Sequence, residues 1–191
     1  MPYIPLEEHL PGITGLLEYS QQTAAPIREL TQILLRGPST LSRGERELIA
    51  TVVSSRNGCT YCTTAHVAAA DLLLGENATA SQVKLDPATA AVSQKMKTLL
   101  HIASLVQVSG KAVTRDAIDA AKEEGATDLE IHDTVLIAAL FSLYNRYVDG
   151  LATVTPTDPA YYEGLAERLK DHGYYRLEQG YDHLKNTPPH S

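Results

Sequence analysis

Ser42-Arg-Gly-Glu45-Arg-Glu47 begins, and Asn57-Gly58-Cys59-Thr-Tyr-Cys62-Thr-Thr-Ala-His66 completes, the stretch whose pattern decides the fold. Ser42-x-x-Glu45 is a capping-box pattern, in which a hydroxyl and a carboxylate each satisfy a backbone N–H that the first helical turn leaves free. Leu48, Ile49, Val52 and Val53 follow as the apolar face of a helix. Asn57-Gly58 ends that helix, since both residues tolerate the left-handed conformation of a C-terminal cap. A second helix then starts at about Cys59 and runs to Leu74, with Gly75 beyond it. The unit is a helical hairpin, and it predicts an all-α chain of packed hairpins.

The flanking sequence reads the same way. β-Branched residues are interspersed rather than alternating, and no Asn-Gly or Asp-Gly pair separates two strand-like runs. Residues 11 to 36 predict one helix broken near Pro26, or two short ones, with Ile27, Leu30, Ile33 and Leu34 as an apolar stripe and Gly37-Pro38 as the stop. Asp86-Pro87 predicts the start of a long helix to about Val108. Further helices are expected over 114–124, 128–148 and 159–171, the last opened by Asp158-Pro159. Thr127-x-x-Glu130 followed by Thr134-Val-Leu-Ile-Ala-Ala-Leu140 repeats the capped apolar helix of the first hairpin. Tyr144-Asn-Arg-Tyr147 then stands where the first copy has its thiols, which suggests an internal duplication without cysteines in the second copy.

Cys59 and Cys62 are the only cysteines of the chain. Residues three or four apart share a helical face, so the two sulfurs are neighbours and His66 can approach Cys62. The first helical turn offers free N–H groups and a positive dipole end, which favour thiolate. Glu47 lies about ten residues before the turn and His66 about eight after it. At about 1.5 Å rise per residue, an antiparallel hairpin sets them at similar heights, as a Glu–His–Cys proton relay requires. Other readings stay open. Zinc is one, although a structural site takes four protein ligands and Cys59, Cys62 and His66 supply three. Two inert buried thiols are another. His101 and His132 read as packing or surface residues, and His9, His172, His183 and His190 as solvated. Tyr161, Tyr162, Tyr174, Tyr175 and Tyr181 suit either docking on a neighbouring subunit or packing on the chain's own core.

With 191 residues, one domain over 1–191 is expected, with a core at about 10–155 and a tyrosine-rich C-terminal extension at about 156–191. A net charge of −7 argues against nucleic acid or an anionic membrane as the main partner. No apolar run reaches the roughly 18 residues of a membrane span, and Met1-Pro-Tyr-Ile-Pro-Leu-Glu-Glu does not read as an export signal. A cytoplasmic setting is therefore expected, where a Cys-x-x-Cys pair points to redox chemistry or metal rather than to a structural staple.

Glu47, eleven residues, Cys59-x-x-Cys62, three residues and His66, within Ser54-Ser-Arg-Asn-Gly-Cys-Thr-Tyr-Cys-Thr-Thr-Ala-His66 and with Tyr144-Asn-Arg-Tyr147 downstream, resemble the AhpD-like alkylhydroperoxidases. These lie within the carboxymuconolactone decarboxylase superfamily, and the pattern is most similar to its peroxidase-related branch. The resemblance covers most of residues 10–155. It implies homo-oligomers (dimer, trimer or hexamer) and reduction of organic or hydrogen peroxides through a Cys59–Cys62 disulfide cycle without a bound cofactor. It also implies Cys62 as the attacking thiolate, Cys59 as the resolving cysteine that meets an external dithiol or protein reductant, and His66 with Glu47 as the relay. One position departs from the pattern. The best-characterised peroxidases of the family carry a histidine just before the second cysteine, where this chain has Tyr61. A tyrosine with an ordinary pKa near 10 does not shuttle protons near neutrality, but it can donate a hydrogen bond to peroxide or thiolate.

Overall fold

The computed structural model describes residues 1–181. Among them there are nine α-helices, one 3₁₀ turn and no strand. In chain order the helices are α1 (Ile13–Tyr19), α2 (Gln21–Arg36), α3 (Arg43–Arg56), α4 (Thr60–Leu74), α5 (Thr79–Leu85), α6 (Gln94–Val108), α7 (Arg115–Glu123), α8 (Asp128–Gly150) and α9 (Pro159–His172). The α3–α4 hairpin is the centre of the molecule. α3 packs on α2, α5, α6 and α8 as well as on α4, and α9 lies along α4. From Arg46 to Ser54 every residue of α3 is buried.

Local chemistry explains the hairpin. Glu45 N–H donates to Ser42 Oγ at 3.2 Å, and Ser42 N–H donates to Glu45 Oε2 at 2.8 Å. At the other end Asn57 keeps a right-handed φ of −78°, and Gly58 alone takes the left-handed one, at +75°. That single glycine reverses the chain into α4. Arg46, also buried, donates through Nη1 to the carbonyls of Leu34 and Gly37 at 3.0 and 2.9 Å. It thereby satisfies acceptors that the end of α2 leaves open and ties α2 to α3. The capping box predicted at Thr127 and Glu130 is present too, at the start of α8.

Several expectations need correction. The break in the first helical stretch falls at Ser20, not at Pro26, which sits inside α2. Of the predicted stripe, Leu34 is buried and Ile27 partly so, but Leu30 and Ile33 face outward. Ala24, Arg28, Thr31, Leu34 and Leu35 make the buried face instead. Asp86-Pro87 does not open the long helix. Asp86 ends α5, a short helix absent from the sequence reading, and its side chain accepts from Ala88 N–H at 3.0 Å in a turn. The long helix waits for Ser93, whose hydroxyl accepts from Met96 N–H at 3.1 Å. Tyr161, Tyr162, Tyr174 and Tyr181 pack against the chain itself, and only Tyr175 of that group is exposed. No helix among the described residues is long and apolar enough to cross a membrane. His183 and His190 lie outside the described residues.

Candidate active site

The hairpin brings Glu47 of α3 and His66 of α4 together, with Nδ1 and Oε2 2.6 Å apart. Glu47 is completely buried, and His66 is 8% exposed. The second carboxylate oxygen is occupied as well. Arg36 Nη2 stands 2.6 Å from Glu47 Oε1, and the Tyr174 hydroxyl donates to the same oxygen at 2.8 Å. The Arg36 guanidinium also lies over the Tyr174 ring, 4.9 Å from its centroid, and donates to the carbonyls of Leu169 and Leu35. Burial alone would push the Glu47 carboxyl up. The His66 hydrogen bond and charge, the Arg36 charge and the Tyr174 hydroxyl outweigh it and hold the carboxyl at about 2. Glu47 is therefore ionised throughout the physiological range.

Beside this relay is a small chamber of about 80 Å³, room for a few waters or one small molecule. Cys62 and His66 both line it, and Cys59 does not. Its remaining wall is mostly apolar: Ile13 and Leu17 of α1, Ile27 of α2, Phe141 of α8, and Leu165 and Leu169 of α9. The Phe141 ring meets the His66 imidazole edge-on, with centroids 4.5 Å apart, which fixes the imidazole plane. Thr31 and Tyr144 close one side through a short hydrogen bond between their hydroxyls.

Both cysteines are free thiols and both are buried. Hydrogen bonding to Cys59, then burial, pushes the Cys62 thiol far up, against the Asn145 hydrogen bond that favours thiolate. The helix-end and histidine effects expected from sequence do not prevail in this reduced, closed pair, and Cys62 is held as a thiol. Asn145 joins the two sequence motifs read as copies of one another. It accepts from Asn57 Nδ2 at 2.8 Å and donates to Ser54 Oγ at 3.0 Å. Cys59 and Cys62 share a small satellite core with Leu16, Tyr61, Val148 and Tyr162, on which Ile4, Leu6 and Leu151 pack. Residues 3–12 form a strap over this core, pinned where Tyr3 N–H donates to Leu151 O at 3.1 Å and Gly12 N–H to Val154 O at 2.9 Å.

Tyr61 is buried, and its hydroxyl shares a hydrogen bond with that of Tyr161 at 3.0 Å. Burial, followed by the neighbouring Tyr161, raises its pKa well above the ordinary tyrosine value, so Tyr61 stays neutral and takes no proton in the relay. Its ring lies against Gly12, which holds φ +58° and ψ −138°, a conformation open to glycine. A methyl group at position 12 would fall 2.1 to 2.3 Å from three Tyr61 ring carbons. Gly12→Ala is accordingly expected to cost about 3 kcal/mol, from strained backbone and overpacking together. A urea melt reads this directly, and an unchanged midpoint would refute the fit between strap and Tyr61.

Arg36, Asn145 and Tyr174 were not among the candidates drawn from sequence. His101 and His132 are exposed and away from the centre, His132 pairing with its neighbour Asp133. Among the described residues, no group of three His, Cys, Asp or Glu side chains is arranged to hold a metal ion.

The helical hairpin thus sets a Glu–His pair and one thiol, Cys62, at a small chamber, with the second thiol, Cys59, buried nearby. Comparison with known proteins points to the class. Residues 21–85, which span α2 to α5, match the model of the carboxymuconolactone decarboxylase family. An uncharacterized peroxidase-related protein from Silicibacter sp. TM1040 is 25% identical with a TM-score of 0.73, covering 81% of this chain and 79% of that one. A second, from Ralstonia eutropha JMP134 and described as an alkylhydroperoxidase AhpD core, is 24% identical with a TM-score of 0.74, covering 82% and 80%. A protein of unknown function from Agrobacterium tumefaciens shares the fold at 17% identity and a TM-score of 0.65, over 75% and 97%. No curated protein matches the chain. The family match over residues 21–85 and the shared fold support the AhpD/carboxymuconolactone decarboxylase superfamily.

Proposed function

We propose that this protein is a thiol peroxidase that reduces hydrogen peroxide or small organic peroxides by cycling Cys59 and Cys62 between dithiol and disulfide. One observation carries the reading: Cys62 and His66 line the same small chamber, whereas Cys59 is fully buried and does not. In the first step the Cys62 proton passes to His66, whose Nδ1 is held by ionised Glu47. The thiolate attacks the terminal peroxide oxygen, the O–O bond breaks, and the alkoxide or hydroxide leaves with the proton from His66. Cys62 is now a sulfenic acid, oxidised by two electrons, and the peroxide is an alcohol or water. Cys59 sulfur then attacks Cys62 sulfur, the S–O bond breaks, and water departs. An external dithiol returns the disulfide to two thiols by exchange. No bound cofactor enters this scheme. A second reading is exchange with a protein disulfide; the small chamber and the 3% exposure of Cys62 favour a small peroxide over a folded partner.

The test is intact mass after one equivalent of peroxide on fully reduced protein. A loss of about 2 Da, one disulfide, is expected within seconds to minutes. Unchanged mass with both thiols still titratable would overturn the peroxidase reading.

A further inference from the structure

The segment that follows α9 does more than end the fold. Tyr174 N–H donates to Gln32 Oε1 at 2.7 Å, while its hydroxyl reaches Glu47. Arg176 then grips both oxygens of Glu18 at 2.8 to 3.0 Å, and Glu18 also accepts from Arg28 at 2.7 Å. Arg168 of α9 lies 5.1 Å over the Tyr181 ring and donates to its hydroxyl at 3.0 Å. Tyr174 and Tyr181 both line the chamber. Residues 173–181 are thus a roof, clasped at its outer surface by Arg176 and entering the relay through Tyr174.

A hydroxyl that donates to a carboxylate stabilises the ionised form and makes the group a weaker proton acceptor. Tyr174 and Arg36 both do this to Oε1, leaving only Oε2 to draw on the His66 proton. We propose that Tyr174 is a positioning residue that restrains the relay while the 173–181 roof is closed, so that lifting the roof opens the chamber and frees Glu47 to pull on His66 in one movement. Access and activation then cannot occur separately, and the closed chamber holds a subdued thiol. This inference rests on the peroxidase reading for its purpose, but not for its test.

Other groups also face the centre and set its titration. Arg36 approaches from α2, Glu47 from α3, and His66 and Tyr61 from α4, with Cys59 at its N-cap. Tyr144 and Asp149 act from α8 and Tyr162 from α9, with Arg28 and Arg168 at the chamber wall. Tyr174→Phe leaves all of these in place and keeps the ring under Arg36, removing only the hydroxyl.

The experiment measures alkylation of Cys62 in Cys59→Ser protein, with iodoacetamide across the pH range and with a bulky maleimide at one pH. No peroxide is present, so failure of the peroxidase reading would leave the result interpretable. With Tyr174→Phe added, the iodoacetamide midpoint is expected to fall by about half a pH unit, with maleimide exclusion intact. With Arg176→Gln added instead, which releases the clasp outside the chamber, maleimide should react about fivefold faster. Circular dichroism and a thermal melt confirm that each variant is folded. A Tyr174→Phe midpoint that stays in place or rises, or a maleimide rate unmoved by Arg176→Gln, would overturn the proposal.

Discussion

Cys62→Ser is expected to lower peroxide consumption by about a thousandfold or more, to the rate of free thiol in solution. The geometry leaves no substitute. Cys59 is fully buried and does not line the chamber, so a peroxide beside His66 finds no second sulfur. Cys59→Ser should behave differently. Its Cys62 still meets peroxide, and the product has no partner with which to condense, so one oxygen is retained as sulfenic acid and turnover stops after a single event. Stopped-flow peroxide traces with mass detection separate the two variants. If Cys59→Ser proves inert and Cys62→Ser gains the oxygen, the roles are reversed and the chamber is not the peroxide site.

Glu47→Gln is the second large effect, and it falls on stability as well as rate. The carboxylate is the counter-ion of buried Arg36, whose side chain is 2% exposed, and it accepts from Tyr174 and faces His66. A neutral amide leaves the guanidinium unpaired in the interior, at a cost of about 3–5 kcal/mol. For a chain of this size that lowers the melting temperature by about 10 °C. The acid dependence should change with it. The folded Glu47 carboxyl sits at about 2, below its ordinary value of 4.5, so its stabilisation is complete above about 4.5 and is lost as pH falls toward 2. Glu18 and Glu130 are likewise held at about 2, by arginines and by Lys95 with Thr127 and Thr40 against the burial that would raise them. Melting temperatures measured from pH 6 to pH 2 should therefore fall in both proteins, and less steeply in Glu47→Gln. Equal slopes would mean that Glu47 is not ionised in the folded protein.

The hairpin was legible because its signals are local. Ser42 and Glu45 bond to backbone three residues away, Gly58 reverses the chain by itself, and counting from that turn was enough to pair Glu47 with His66. The same locality explains the misreading at Asp86-Pro87, a dipeptide that serves a turn as readily as a helix start. Arg36 and Tyr174 were out of reach for the opposite reason. Tyr174 stands 127 residues along the chain from Glu47, in a segment whose composition says only that it is rich in tyrosine. A weak signal was available: a buried carboxylate needs a cation, and Arg36 and Arg46 are the nearest ones that sit on apolar helix faces. Choosing between them required the packing of α2 on α3, in which Arg46 turns to the end of α2 and Arg36 to the acid.

The strap over Cys59 bears on how the centre is recharged. In the proposed cycle, a donor that attacks the Cys59 sulfur, buried in the core on which residues 3–12 pack, gains entry only as often as the strap lifts. Under that constraint the oxidising half of the cycle is governed by what fits a small chamber, and the reducing half by how a short piece of chain unlatches. On that route peroxide and donor approach through different doors, so selectivity for one can change without disturbing the other.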